Sequence, residues 1–212
     1  GLGDVYKRQI NQYCVEHELL TNGDGIVIGL SGGMDSVCLL QVLAALRNEW
    51  QLRLVCVHVH HGIRGTAADE DAAFAQRLAA KYNISFRLYE MDIPQLAKEQ
   101  GLSEEEAGRN YRYRCFEEVR KELNFDKIAV AHHRDDQAET VLWQILRGSG
   151  LRGVCGMRAG RANIIRPLLC LDRQQIEQIV RGNGDGWRED ATNREEKYTR
   201  NKIRNRVFPY IE

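Results

Sequence analysis

Ile26-Val27-Ile28-Gly29-Leu30 is an apolar run that breaks into Ser31-Gly32-Gly33-Met34-Asp35-Ser36, and helix-forming residues follow from Ser36 to Arg47. A short apolar run without polar alternation suits a strand buried on both faces, as in a parallel sheet. Two adjacent glycines let the backbone approach a phosphate closely. Ser31, Ser36 and the N–H groups of the helix N-terminus then supply donors to it. Asp35 has no proton to donate at neutral pH, and a carboxylate beside a phosphate cradle makes sense where it holds Mg2+, which bridges and neutralises phosphates. The plain alternative is a strand-to-helix turn with glycine for geometry and Asp or Ser as the cap. No lysine follows the glycines, so this is not G-x-x-x-x-G-K-[ST].

The rest of the chain repeats the strand-helix theme. Apolar positions Ile10, Tyr13, Cys14 and His17 predict a first helix, closed by Asn22-Gly23-Asp24-Gly25. Gly1 to Gln9 show no apolar period, so no structure is expected there, and they are compatible with a cloning or gene-start artefact. Further strands are expected at 52–59, 85–91 and 127–131. Helices are expected at 67–82, from a Ser103/Glu106 capping box to Leu123, at 135–147, at 172–181 and near 199–207, with a short helical turn at 94–98. This alternation predicts an α/β fold: a doubly wound, mostly parallel sheet with helices on both faces, binding nucleotide at the carboxyl ends of its strands. The chain reads as one domain over 10–212 whose portion from about 148 is basic.

The 212 residues carry 30 Lys+Arg and 30 Asp+Glu, which at first sight argues against a nucleic-acid partner. The total hides a division. Residues 1–143 hold 16 Lys+Arg against 22 Asp+Glu, and residues 144–212 hold 14 against 8. No apolar run approaches the ~20 residues of a membrane span and no signal peptide opens the chain, so a cytoplasmic location and no membrane partner are expected. The six cysteines have no C-x-x-C pair or Cys/His ligand spacing, and free, mostly buried thiols are expected.

Three further clusters carry chemistry. His58-Val59-His60-His61-Gly62-Ile63-Arg64 ends the second strand. His58 and His60 share a strand face, but with no third ligand a nucleotide-pocket lining is favoured over a metal pair. In His132-His133-Arg134-Asp135-Asp136-Gln137-Ala138-Glu139, the i, i+3 spacing puts Asp136 and Glu139 on one helix face, with Asp135 as N-cap. That pair suits Mg2+, a substrate ammonium group or proton transfer; a solvated helix start is the bland reading. Arg109, Arg112 and Arg114 sit on one helix, where they stabilise phosphoryl charge or pair with Glu105 and Glu106. The last third adds Arg147-Gly148-Ser149-Gly150-Leu151-Arg152-Gly153 and Arg200-Asn201-Lys202-Ile203-Arg204-Asn205-Arg206, an electrostatic footprint for nucleic-acid phosphate unless Glu195 and Glu196 neutralise it.

SGGMDS by itself resembles the PP-loop of ATP pyrophosphatases. The ordered set SGGMDS, HVHHGIRG, EEAGRNYRYRCF, AHHRDDQAET, RGSGLRG, RPLL, DATN and RNKIRNRVFP, spanning Ile26 to Pro209, is similar to the amino-terminal catalytic domain of bacterial tRNA(Ile)-lysidine synthetases. The resemblance implies an adenine nucleotide alpha hydrolase-like fold and a ligase that adenylates C2 of the wobble cytidine in tRNA(Ile) with a CAU anticodon, then joins free L-lysine to it. It implies ATP and Mg2+ as cofactors. Ser31, Gly32, Gly33, Met34, Asp35, Ser36 and His58 would bind ATP, with Asp35 and Asp136 on the metal. Asp35, Arg112, Asp136, Glu139 and Arg200 would be catalytic, and Arg152, Arg200, Lys202 and Arg204 would face tRNA. Family members continue into further helical domains, so downstream tRNA-binding domains are expected to be missing from this chain; a homodimer is left open. Rival readings are a PP-loop 2-thiocytidine synthetase, which usually carries C-x-x-C pairs, a non-catalytic ATP-binding module, and a small-molecule adenylating ligase of the amidotransferase type.

Overall fold

Alternate residues of the central strands point into two different apolar clusters. Ile26 and Ile28 of β1 (Gly25–Gly29) and Leu54 and Cys56 of β2 (Arg53–His60) join one, whereas Val27, Val55, Val57 and Val59 join the other. The period-2 geometry of a strand does this whenever both faces are covered. The computed structural model describes residues 3–60, 66–146 and 156–188.

The first face is covered by α1 (Asp4–Glu16), α2 (Met34–Trp50), α3 (Thr66–Lys81) and α7 (Arg173–Asn183), through side chains such as Ile10, Leu39, Leu78 and Ile176. The second is covered by α4 (Ile93–Gln100) and α5 (Glu104–Glu122), through Ile93, Ala107, Phe116 and Val119. With β3 (Ser85–Glu90), β4 (Lys127–Ala129), β5 (Gly160–Arg161) and β6 (Ile164–Ile165), the six-stranded sheet has the order β3-β2-β1-β4-β6-β5. All pairings are parallel except β5 on β6. The expected doubly wound sheet is present. From β1 the chain winds outward to β2 and β3 and then returns to place β4 on the other side of β1. The switch point, where such sheets open a crevice for ligands, therefore lies between β1 and β4.

Phe116 of α5 packs so closely on β1 that a Cβ on Gly29 would stand 2.7 Å from its Cζ, so glycine is what lets this helix seat. α6 (Arg134–Leu146) leaves the end of β4, and a 3₁₀ turn over Pro167–Cys170 leads to α7. Among the described residues no helix is long and apolar enough to cross a membrane.

Two expectations are corrected and one feature is added. The first helix begins at Asp4 rather than Ile10, because its opening turns are fixed from outside. Tyr6 packs on the core and its hydroxyl donates to Gln178, Lys7 pairs with Glu49 (3.3 Å), and Gln9 donates to the Cys170 carbonyl (3.2 Å). The β5–β6 hairpin was not expected, since two-residue strands are too short to show alternation. At Ser103 the hydroxyl does accept from the Glu106 N–H (3.1 Å), but the reciprocal capping box forms at Asp172 and Gln175. The helix expected near 199–207 lies outside the described residues.

The five described cysteines are free, as expected, and Cys14, Cys38, Cys56 and Cys115 are buried. Burial pushes the Cys14 and Cys56 thiols up to about 12 and raises Cys38 as well. At pH 8 a disulfide reagent should label these three only after denaturation, since the thiolate is the reactive form. Peptide mapping of labelled protein checks this, and rapid labelling of the native chain would contradict it.

Candidate active site

The loop after β1 is organised by Ser36. Its buried hydroxyl donates to the Gly33 carbonyl (2.9 Å) and accepts from the Gly32 N–H (3.1 Å) and the Ser31 hydroxyl (3.0 Å), while Ser31 Oγ accepts from the Gly33 N–H (3.3 Å). Gly32 has φ +94°, a conformation that strains any residue with a Cβ. Gly33 is the N-cap of α2 and offers no side chain to it. The first-turn N–H groups of Met34, Asp35 and Ser36 therefore point out of the helix at the positive end of its dipole, a ready anion site. Ser31 to Ser36 are thus brought together as a cradle, with Ser36 as its internal brace.

Asp35 projects from that first turn with its side chain 39% exposed. Facing it across the switch point is α6, whose start is capped in an unexpected way. His133, not Asp135, takes the N-cap position: its Nδ1 accepts from the Asp135 N–H (3.2 Å), and Asp136 Oδ2 returns to accept from the His133 N–H (3.0 Å). Asp135 instead accepts from the Arg173 N–H (3.2 Å) and ties α6 to α7. With Nδ1 occupied as an acceptor, the His133 proton sits on Nε2. That atom lies 3.5 Å from Asp35 and 3.4 Å from Asp136, and His133 is only 1% exposed. Burial opposes a charged imidazole, but Asp35 and Asp136 outweigh it and hold the His133 pKa above its ordinary value. The Asp135 N–H acts in the other direction, because it favours an unprotonated Nδ1.

The i, i+3 spacing does bring Asp136 and Glu139 to the buried side of α6, at 9% and 2% exposure. His58, at the end of β2, is buried. Its Nδ1 donates to the Leu30 carbonyl (2.7 Å) immediately before the cradle, and its ring stacks on Phe86. Burial lowers its pKa, which keeps it neutral, and the Arg112 charge adds to that. Arg112 thereby stands within electrostatic reach of the cradle's base, exposed on α5. His60 faces Asp69 (3.4 Å) instead of forming a metal site with His58, and no group of three or more candidate ligands is found among the described residues. Arg64, Arg152, Arg200, Lys202 and Arg204 lie outside the described residues.

Two participants were missed by sequence reasoning. His133 lies in the His132–Glu139 cluster, and its signal was a histidine directly ahead of an acidic helix start. Arg188 had no local signal. Its N–H donates to the Gly32 carbonyl (2.9 Å), and its guanidinium holds Asp71 (2.7 Å) and Glu70 (2.8 Å) of α3, so the segment after α7 straps the outside of the cradle.

Known proteins resemble this chain in sequence and in fold. The tRNA(Ile)-lysidine synthase of Caldanaerobacter subterraneus subsp. tengcongensis is 49% identical over 212 residues, covering 100% of this chain and 44% of that protein. The tRNA(Ile)-lysidine synthase of Clostridium perfringens is 42% identical over 207 residues, covering 97% and 44%. The chain thus spans less than half the length of the curated relatives it matches. Among solved structures, the U34-tRNA thiolase NcsA from Methanococcus maripaludis superposes with a TM-score of 0.69 at 20% identity, over 86% of this chain and 64% of that one. The NH3-dependent NAD synthetase from Campylobacter jejuni gives 0.56 at 17% identity, over 84% and 72%. These structural likenesses place the fold in the adenine nucleotide alpha hydrolase-like class. A family model described as a PP-loop domain matches residues 3–211, and the chain, with its glycine cradle at the end of β1, belongs to that family.

Proposed function

We propose that this chain is the adenylating core of an ATP-dependent ligase that joins L-lysine to C2 of the wobble cytidine in tRNA(Ile) bearing a CAU anticodon, releasing AMP and diphosphate. The reading is carried by the convergence of Asp35 and Asp136 on His133 Nε2 across the β1/β4 switch point, beside an uncapped helix N-terminus. The relatives' shared name, tRNA(Ile)-lysidine synthase, supports tRNA(Ile) and lysine as the substrates. A cytoplasmic location goes with such a substrate.

The open N–H groups of α2 and the Ser31–Ser36 loop hold the ATP phosphates. An anion there would be repelled by Asp35 unless a cation lay between them. Mg2+ fits the residues present, because it takes one or two carboxylates and completes its shell with phosphates and water. Asp35 and Asp136 would hold it, and it would neutralise charge on the departing diphosphate. The C2 oxygen of cytidine forms a bond to the α-phosphorus as the bond to the diphosphate oxygen breaks. The lysine amine then adds at C2, and AMP departs with that oxygen. The amine attacks only when deprotonated, so a carboxylate of the Asp136/Glu139 pair anchors the ammonium group and takes its proton. Arg112 stabilises phosphoryl charge from the rim.

Incubation of the intact protein with ATP, Mg2+, labelled lysine and this tRNA should place label in the anticodon loop with one AMP released per lysine. Absence of tRNA-dependent AMP, or 2-thiocytidine in place of lysidine, would overturn the reading.

A further inference from the structure

Arg166 is a buried cation whose charge has no acidic partner among the described residues. It leaves the end of β6 at 9% exposure, with Nε donating to His132 Nδ1 (3.4 Å) and Nη1 to the Arg158 carbonyl (3.0 Å). No protein partner for its Nη2 group is found among them either. Burial and the neighbouring Arg109 and Arg161 cations hold its pKa below the usual arginine value, with Tyr113 opposing them. The other well-anchored cations of the fold contrast with this: Lys127 sits 2.7 Å from Asp24, Arg120 lies 2.7 Å from Glu117, and Arg188 is 2.7 Å from Asp71. Glu117, the acid that Asn163 brings to this side of the sheet, is already taken by Arg120.

Burying a guanidinium is costly unless an anion accompanies it, and two further arginines beside it add repulsion. The exposed Arg109, held over the Tyr113 ring at 5.3 Å, and the exposed Arg161 have no ion pair among the described residues. A planar fork with free N–H groups among like charges is matched by a phosphate, which accepts from such forks bidentately. The position fits one particular phosphate. His132, bonded to Arg166, directly precedes His133, so the cluster adjoins the site on the far side of β4. Two strand spacings, about 10 Å, separate β6 from β1, where the ATP cradle lies.

We propose that Arg166, Arg109 and Arg161 form a subsite for a backbone phosphodiester of the RNA substrate, next to the nucleotide that reacts. It rests on the RNA-modifying reading above and adds three residues to Arg152, Arg200, Lys202 and Arg204, the ones expected to face tRNA.

The test compares the intact protein with its Arg109→Gln/Arg161→Gln and Arg166→Gln variants, whose folding is checked by thermal melts. Affinity for tRNA(Ile) is read by fluorescence anisotropy without ATP across a salt series, and KM for ATP is read separately. The exposed double variant should bind RNA roughly tenfold more weakly, with the salt slope smaller by about 1, while KM for ATP stays within about twofold of the parent. Arg166→Lys should recover only part of the loss of Arg166→Gln, since it keeps the charge without the fork. Unchanged RNA affinity and slope in the double variant overturn the subsite. So does a raised KM for ATP with RNA affinity intact, which would assign the cluster to a nucleotide phosphate. A protein that binds RNA through these arginines but makes no lysidine overturns the ligase reading alone.

Discussion

Asp35→Asn is expected to lower ATP-dependent AMP formation by about a thousandfold or more, the scale of losing a group that organises transition-state charge. The substitution keeps the shape of the side chain and removes only its charge. That charge stands in the first turn of α2, among N–H groups turned toward the phosphates, and 3.5 Å from His133 Nε2. Stability should barely change, because the side chain is 39% exposed and its ion pair among the described residues is with that one imidazole. A thermal midpoint within roughly 2 °C of the parent would show the fold intact. If AMP formation by such a protein stayed within tenfold of the parent, the carboxylate would have no part in holding Mg2+. Asp136→Asn is less clean as a test, since Asp136 also accepts from the His133 N–H and so helps build the start of α6.

The difference between those two aspartates shows what was legible in the sequence. The cradle at Ser31–Ser36 could be read because every determinant is local: a buried strand, two glycines and a helix start within eleven residues. Both acids were recognised for the same reason. Their meeting through His133 could not be read, because it depends on β4 inserting beside β1, a pairing between segments about a hundred residues apart. Arg166 stood in the RPLL block without a role, because its lack of an acid among the described residues becomes visible only once β6 is placed and its neighbours prove to be cations. The β5–β6 hairpin was invisible because two-residue strands carry no period. The strap from Asp185 to Arg188 was also hidden, being fixed by partners on α2 and α3 far earlier in the chain.

That strap yields the largest expected effect on stability. The Asp185 side chain is 2% exposed and accepts from Gln41 Nε2 (2.7 Å), Lys81 and Tyr82. Removing it leaves three donors without their acceptor, and Gln41 is itself buried. Asp185→Ala should cost about 2 to 4 kcal/mol, discounted from a fully buried pair because Lys81 is half exposed. At 2 to 4 °C per kcal/mol for a domain of this size, the melting midpoint should fall by roughly 5 to 15 °C. Asp185→Asn keeps an acceptor oxygen and should lose about half as much. Burial works against the carboxylate charge, but the donors from Lys81, Tyr82 and Gln41 outweigh it, so its folded pKa lies below the ordinary aspartate value. Stability from such a group is fully present above the unfolded pKa of about 3.9 and is lost as pH falls through the lower folded value. The gap in stability between parent and Asp185→Asn should therefore be constant from pH 5 to 7 and shrink below about pH 4. Because Arg188 lies three residues on and anchors the Gly32 carbonyl, KM for ATP should rise in Asp185→Ala at temperatures where the protein remains folded. Equal melting midpoints for the parent and the alanine variant would mean that these donors find solvent without cost, and that the strap holds the cradle through Arg188 alone.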